Sequence, residues 1–287
     1  MAPGPSLTYD PGLVFREDRH ADARLPRTGV VMLEIDPIPA FQDNYFWLFR
    51  QPGTRSAWVV DPGDAAPVED TLSERGLELA GILVTHHHFD HTGGVSQLAA
   101  GRPIPVIGPE SSRIEAITRV VRNGETVEAA GTRFEVIEVP GHTLDHVAFH
   151  APAERVLFCG DTLFAGGCGR LFEGTPLQMH GSLSRLAALP GSTAVYCAHE
   201  YTLANLTFAA AVEPENTAIA DRLAQVRELR ERRVPTVPST IGTEQDTNPF
   251  LRVATEEVRR AAEARAGTAL GSPVEVLAEI RRWKDAF

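Results

Sequence analysis

Seven side chains between positions 86 and 199 have the types and spacing of a metal-binding hydrolytic centre. The densest run is Thr85-His86-His87-His88-Phe89-Asp90-His91, which follows the apolar segment Gly81-Ile82-Leu83-Val84 and precedes Gly93-Gly94. In an extended loop, residues two apart point the same way, so His86 and His88 can share one ion while His87 faces elsewhere. The chain then turns, which frees Asp90 and His91 to face a second ion. A single histidine at a strand end is usually a hydrogen-bonded bystander; four potential ligands in one short loop rarely are. Three further candidates end predicted strands: His142 in Val139-Pro140-Gly141-His142-Thr143, Asp161 in Phe158-Cys159-Gly160-Asp161-Thr162, and His199 in Ala198-His199-Glu200. The complete set is five imidazoles and two carboxylates. It suits two divalent ions bridged by a carboxylate and a hydroxide, with zinc favoured and iron or manganese also matching the ligand chemistry. Two close cations lower the pKa of a shared water toward neutrality, which is the chemistry of hydrolysis.

Strand ends must present these groups on one rim. Short β-branched and apolar runs predict strands at 32–35, 45–49, 57–60, 81–84, 105–107, 133–139, 146–149, 156–159 and 193–196, with helices at 67–75, 92–99, 111–117 and 176–188. Neighbouring strands without an intervening helix imply antiparallel pairing, so two packed sheets with helices outside fit better than a parallel doubly wound sheet. After His199 the pattern turns helical, at 203–212, 217–232, 255–266 and 273–287, interrupted by the Pro-punctuated linker 234–240 and the turn Asn248-Pro249-Phe250. The chain therefore reads as an extension over residues 1–31, expected to be poorly ordered, a catalytic unit over 32–200 and a helical unit over 201–287.

Composition narrows the function classes. A net charge of -11 argues against a general affinity for nucleic acid or anionic membrane, so an anionic ligand must meet a local basic patch. No apolar run approaches the roughly 18 residues of a membrane span. Cys159, Cys168 and Cys197 are odd in number and follow no paired spacing, which favours a reducing compartment and a packing role. The single lysine, Lys284, stands beside Arg281 and Arg282 near the end of an otherwise acidic chain. Cations in a last helical turn also complement the helix dipole, so this cluster alone does not establish a ligand site. His146 reads either as a residue that orients ligands or as a buried strand histidine, the latter being preferred.

The motif series Thr85-to-His91, Pro140-to-Thr143, Phe158-to-Thr162 and His199 resembles the metallo-β-lactamase superfamily. Within it, residues 32–287 are similar to the glyoxalase II (hydroxyacylglutathione hydrolase) family. The likeness is carried by Asp43-Asn44-Tyr45, Gly160-Asp161-Thr162-Leu163-Phe164, Gly167-Cys168-Gly169-Arg170, His199-Glu200-Tyr201-Thr202, Pro235-Thr236-Val237-Pro238, Asn248-Pro249-Phe250 and Arg281-Arg282-Trp283-Lys284-Asp285.

That resemblance implies an αββα sandwich with a C-terminal all-helical domain. It places His86, His88 and His142 on one ion, Asp90, His91 and His199 on the other, and Asp161 between them, with Asp90 and Asp161 as the catalytic carboxylates. Arg170, Tyr201, Arg281 and Lys284 would hold glutathione. Arg170 stands where the family often has Lys, and Phe172 where it often has Tyr, which removes one hydroxyl from the expected thiol-donor site. The implied reaction is hydrolysis of an S-(2-hydroxyacyl)glutathione such as S-lactoylglutathione, the second step of methylglyoxal detoxification, by a cytoplasmic monomer without nucleic-acid or membrane partners. The alternative is a persulfide dioxygenase of the same fold using a single iron, against which the helical C-terminal unit and Lys284 speak. Nucleases and secreted lactamases of this fold would be expected to show a basic surface or a signal peptide.

Overall fold

The computed structural model describes residues 32–287; the N-terminal extension expected over 1–31 lies outside the described residues. The first sheet starts with β1 (Glu34–Ala40), paired antiparallel to β2 (Asn44–Arg50). Every β2 side chain except Arg50 is buried, and alternation sorts them onto two faces. Tyr45, Trp47 and Phe49 enter one core while Phe46 and Leu48 enter another. A strand buried on both faces needs a layer on each side. Completing the sheet in spatial order are β3 (Ser56–Val60), β4 (Glu78–Leu83), β5 (Val106–Pro109) and β6 (Arg119–Val121). Helices α1 (Ala65–Arg75), α2 (Phe89–Thr92) and α3 (Val95–Ala99) connect them, and α1 and α3 cover the outer face through Val68, Leu72, Val95 and Leu98.

The second sheet is built from β7 (Thr126–Ala129), β8 (Thr132–Glu138), β9 (Val147–Ala151) and β10 (Val156–Gly160), all antiparallel. A small hairpin, β11 (Leu163–Phe164) and β12 (Gly167–Cys168), and helix α4 (Pro176–Ala187) lead to β13 (Ala194–Cys197), parallel to β10. Thr175 begins α4 with a capping box, its hydroxyl on the Gln178 amide and the Gln178 side chain on its own N–H. The two sheets face each other across Phe49, Phe134 and Phe158, whose ring centroids lie 5.2 to 5.9 Å apart. The order is helix, sheet, sheet, helix.

The chain ends in α5 (Thr202–Val212), α6 (Thr217–Glu231), the two-residue strand β14 (Ser239–Thr240), α7 (Ile241–Thr247), α8 (Glu256–Ala266) and α9 (Pro273–Asp285). This region is helical apart from β14, which adds an edge to the second sheet by pairing with β13. Phe208, Phe250, Leu277 and Ile280 join the same hydrophobic core as Leu163, Phe164, Met179 and Leu183.

Several expectations need correction. Residues 111–117 form turns rather than a helix, because the parallel pairing of β5 with β6 must be reached within residues 110–118, too few to pack a helix and return along the strand. The helix expected at 92–99 is split into α2 and α3 at Gly93-Gly94, where Cβ atoms would lie 2.5 Å from the backbone of Gly63 or Ala65. Strands β6, β7, β11, β12 and β14 and helix α7 were not anticipated; β7 becomes a strand through a tight turn at Ala130-Gly131, both at positive φ, that folds it onto β8.

Phe158 is fully buried between the sheets, so Phe158→Ala is expected to lower the unfolding free energy by about 3–5 kcal/mol. Urea denaturation followed by circular dichroism measures it, and a loss below about 1 kcal/mol would contradict this account of the inter-sheet core.

Candidate active site

The predicted ligands leave the strands at one rim. Strand β4 delivers Thr85 and His86 to the loop, α2 carries Asp90 and His91, the segment between β8 and β9 carries His142, β10 leads to Asp161, and β13 leads to His199. Gly160 makes the β10 end possible: it has φ +47, and a Cβ there would fall 2.4 Å from the Thr85 hydroxyl. Gly63 performs a similar service, since its Cβ would fall 2.0 Å from the carbonyl oxygen of Asp90.

Three nitrogens converge at one point, His88 Nδ1 lying 3.1 Å from His86 Nε2 and 2.9 Å from His142 Nε2. A second group forms from Asp90, His91 and His199, with Asp90 Oδ2 at 3.5 Å from both imidazole Nε2 atoms. Asp161 stands between the groups. Its Oδ2 is 3.4 Å from His142 Nε2 and 3.3 Å from His199 Nε2, and its Oδ1 is 3.3 Å from His91 Nε2. All seven predicted residues are thus brought together.

Residues that sequence reasoning did not single out hold these groups in place. Asp61 accepts from the Thr85 amide and hydroxyl, each at 2.7 Å, and from His91 Nδ1 at 3.1 Å. Its φ of +52 is unusual for a residue with a side chain but tolerated by Asp, and the carboxylate contacts fix it. Asp43 accepts from His199 Nδ1 at 2.8 Å, the Arg170 carbonyl from His142 Nδ1 at 2.9 Å, and Asp90 Oδ2 from Asn44 at 3.0 Å. His91, His142 and His199 are thereby fixed in the tautomer that leaves Nε2 facing the cluster, whereas His88 faces it with Nδ1. Asp43 and Asn44 lay within a motif already noticed; for Asp61 the only signal was an acid before Pro62-Gly63 at the end of an apolar strand. His146 is buried and also supports the cluster: its Nε2 accepts from the Asp161 amide at 3.1 Å, and its ring stacks on His86 at 4.5 Å.

The cluster forms one end of a cavity of about 710 Å³ whose other walls include Arg170, Phe172, Tyr201, Arg281 and Lys284. Tyr201 lies flat on His199, with ring centroids 4.7 Å apart. Lys284 lies over the Phe208 ring at 5.6 Å, and its pKa is lowered by burial and by the nearby Arg281 and Arg170 cations. Arg281 donates to the Cys168 carbonyl and to Asp285, each at 2.9 Å, while its Nε has no partner among the described residues. A cationic wall thus faces an acidic and imidazole-rich one across a single cavity.

Comparison with known proteins agrees with this architecture. Residues 41–199 match the family model for the metallo-beta-lactamase superfamily, and residues 200–287 match the model for the hydroxyacylglutathione hydrolase C-terminus. The hydroxyacylglutathione hydrolase of Pseudomonas aeruginosa strain LESB58 is 54% identical over 258 residues, covering 89% of this chain and 100% of the relative. The chain belongs to the hydroxyacylglutathione hydrolase family. Among solved structures, TTHA1623 in a di-iron-bound form is 26% identical with a TM-score of 0.54, covering 76% of this chain and 100% of that one. ETHE1 from Myxococcus xanthus, at 22% identity and a TM-score of 0.59 over 89% of this chain and 99% of its own, shares the fold.

Family membership implies a dinuclear divalent-metal site built on the histidine and aspartate cluster. The residues fit one. His91 Nε2 and Asp161 Oδ1 are buried, face each other and have no hydrogen-bond partner, a costly arrangement unless a cation completes it. The electrostatics divide the cluster in two. Burial holds His86, His88 and His142 below the ordinary histidine range, as neutral ligands. Burial opposes charge on His91 and His199 as well, but Asp161 outweighs it, raising His91 well above the ordinary range and His199 to about 9. Asp161 itself is held well below the carboxylate range by His199 and His91 despite its burial.

Two outcomes follow. Without ions, His91 and His199 carry protons at neutral pH, and a ligand imidazole must be neutral, so metal uptake at pH 7 is expected to release protons and affinity to weaken as pH falls below about 9. Calorimetric titration in buffers of different ionisation enthalpy reads this, and a heat independent of buffer would contradict it. Asp61→Asn leaves His91 without its carboxylate acceptor and is expected to weaken metal affinity roughly 10–100-fold with little change in far-ultraviolet circular dichroism; unchanged affinity in a chelator competition would rule Asp61 out as a brace.

Proposed function

We propose that this protein hydrolyses S-(2-hydroxyacyl)glutathione thioesters, S-lactoylglutathione among them, to glutathione and a 2-hydroxy acid, as in methylglyoxal detoxification. The observation that carries the reading is the single cavity joining the histidine and aspartate cluster to Arg170, Tyr201, Arg281 and Lys284. We assign His86, His88 and His142 to one ion, Asp90, His91 and His199 to the other, and Asp161 to both. When bound, two divalent ions, zinc by this reading, supply Lewis acidity and a water acidified toward neutral pH.

The chain's own residues do the rest. Asp90, fixed by Asn44, accepts from the attacking water and orients it, and Asp161 keeps its negative charge between the two imidazole groups. Lys284, Arg170 and Arg281 are the donors for glutathione carboxylates, which they recognise by charge-assisted hydrogen bonds. Tyr201 offers a phenol beside His199, and Phe172 supplies an apolar edge near His88 and His142. The thiolate is a good leaving group, so the reaction needs no dedicated general acid. Three buried free thiols favour the reducing cytoplasm as its setting. The match of residues 200–287 to a hydrolase-specific C-terminal region favours hydrolysis over oxygen-dependent persulfide chemistry.

The test is hydrolysis of S-lactoylglutathione by purified protein, with metal analysis and an oxygen electrode on the same sample. Thioester loss without oxygen uptake and with two ions per chain is expected; oxygen uptake with one iron would sink the reading. His88→Ala and Asp161→Ala are expected to abolish turnover, and Lys284→Ala to raise KM about tenfold with kcat little changed, as loss of ground-state binding requires.

A further inference from the structure

One polar cluster beside the centre has no place in the chemistry described so far. His87 points away from the metal-facing side, and its ring is almost completely buried. Its Nδ1 lies 2.9 Å from both carboxylate oxygens of Asp145, which in turn accepts from the Thr143 hydroxyl at 2.7 Å. On the other side, His87 Nε2 is 3.3 Å from Glu173 Oε1. Glu173 completes the figure: its Oε1 accepts from Arg113 at 2.7 Å and its Oε2 from the Leu144 amide at 3.0 Å. These three groups are close enough to hold an ion, but the Arg113 guanidinium already supplies the cation, touching both Glu173 and the His87 ring.

What the cluster joins gives it a role. Residues 170–174 run along 141–144, the Phe172 amide donating to the His142 carbonyl at 3.2 Å and the Gly174 amide to the Gly141 carbonyl at 3.1 Å. That strip places Arg170 and Phe172 in the cavity wall, and through the Arg170 carbonyl it also orients His142. Phe172 is 63% exposed, so packing alone does not hold the strip. Glu173 is the side chain that bonds it sideways, to the Leu144 amide and, through the Arg113 guanidinium, to the loop of His87. We propose that Glu173, acting through Arg113 and the Leu144 amide, is a positioning residue that sets the Arg170–Phe172 wall for the glutathione moiety. Its pKa is held low, first by the Leu144 amide and then by Arg113, so the carboxylate stays charged for this task.

The inference rests on the thioester-hydrolase reading, and the wild-type enzyme serves as its control. KM and kcat are measured for S-lactoylglutathione and for a lactoyl thioester of N-acetylcysteamine, which lacks the glutathione carboxylates, with metal content recorded for each variant. Glu173→Ala is expected to raise KM for the glutathione thioester about tenfold, with metals per chain unchanged and the small thioester hydrolysed at the wild-type kcat/KM. Glu173→Gln keeps an acceptor for the Leu144 amide and gains an NH2 that can donate to His87 Nε2, and is expected to restore KM to near the wild-type value. An unchanged KM in Glu173→Ala, or equal losses on both thioesters, or loss of metal in step with activity, would overturn the proposal, as would a third tightly bound ion lost with Glu173. Should Glu173→Ala fail to fold, Glu173→Asp provides the same reading: its shorter reach cannot bond both Leu144 and Arg113, and a wild-type KM in that variant overturns the proposal equally. Failure of the wild-type enzyme to hydrolyse S-lactoylglutathione would instead refute the reading beneath it.

Discussion

A buried carboxylate among imidazoles is the constraint around which the rest is arranged. Asp161 sits at the mouth of β10 with His91, His142 and His199 within 3.3 to 3.4 Å, and one of its oxygens has no hydrogen-bond partner. Such a group is costly to bury unless opposite charge comes with it. Without ions, protons on His91 and His199 supply that charge; with ions, the cations do. Both compensations require the imidazoles to stay in position, which is why fixed acceptors stand behind the rings. Asp61, Asp43 and the Arg170 carbonyl each hold one Nδ1, so the freedom lost by these rings is lost at folding and not at metal binding.

That rigidity is inherited from the sandwich. The ligand loops begin where strands stop, and the strands are locked by a core with aromatic rings from both sheets. Phe49, Phe134 and Phe158 fix the spacing between sheets, and the rim above them inherits it. Stability and function thus separate along the strands, with apolar side chains below and metal-facing groups at the ends.

The convergence of these seven side chains was legible in the sequence because metal chemistry restricts residue type: five histidines and two aspartates at strand ends have few competing explanations. Strands buried on two faces, such as β2, were legible from continuous apolar runs. The failures have a common origin in partners that local pattern does not contain. Residues 111–117 have helix-compatible composition, yet the demand that β6 return alongside β5 overrides it. Strand β14 is only two residues long and exists because β13 offers an edge. Asp61 was missed because its role is defined by Thr85 and His91, which lie 24 and 30 positions away.

The helical region closes the cavity by sharing a core with the sandwich instead of merely touching it. Arg281 of α9 reaches the Cys168 carbonyl in the β11–β12 hairpin, and Glu244 of α7 accepts from the Gly166 amide at 2.7 Å in the same hairpin. Glu200, next to the ligand His199, accepts from the Tyr45 hydroxyl at 3.0 Å and from the Thr236 amide at 2.9 Å, tying the linker before β14 to β2. Each of these ties joins a ligand-bearing or cavity-lining segment to an element after residue 200. The cationic residues and the acidic cluster are therefore held in the wall of one cavity by ties that cross between the sandwich and the helical region.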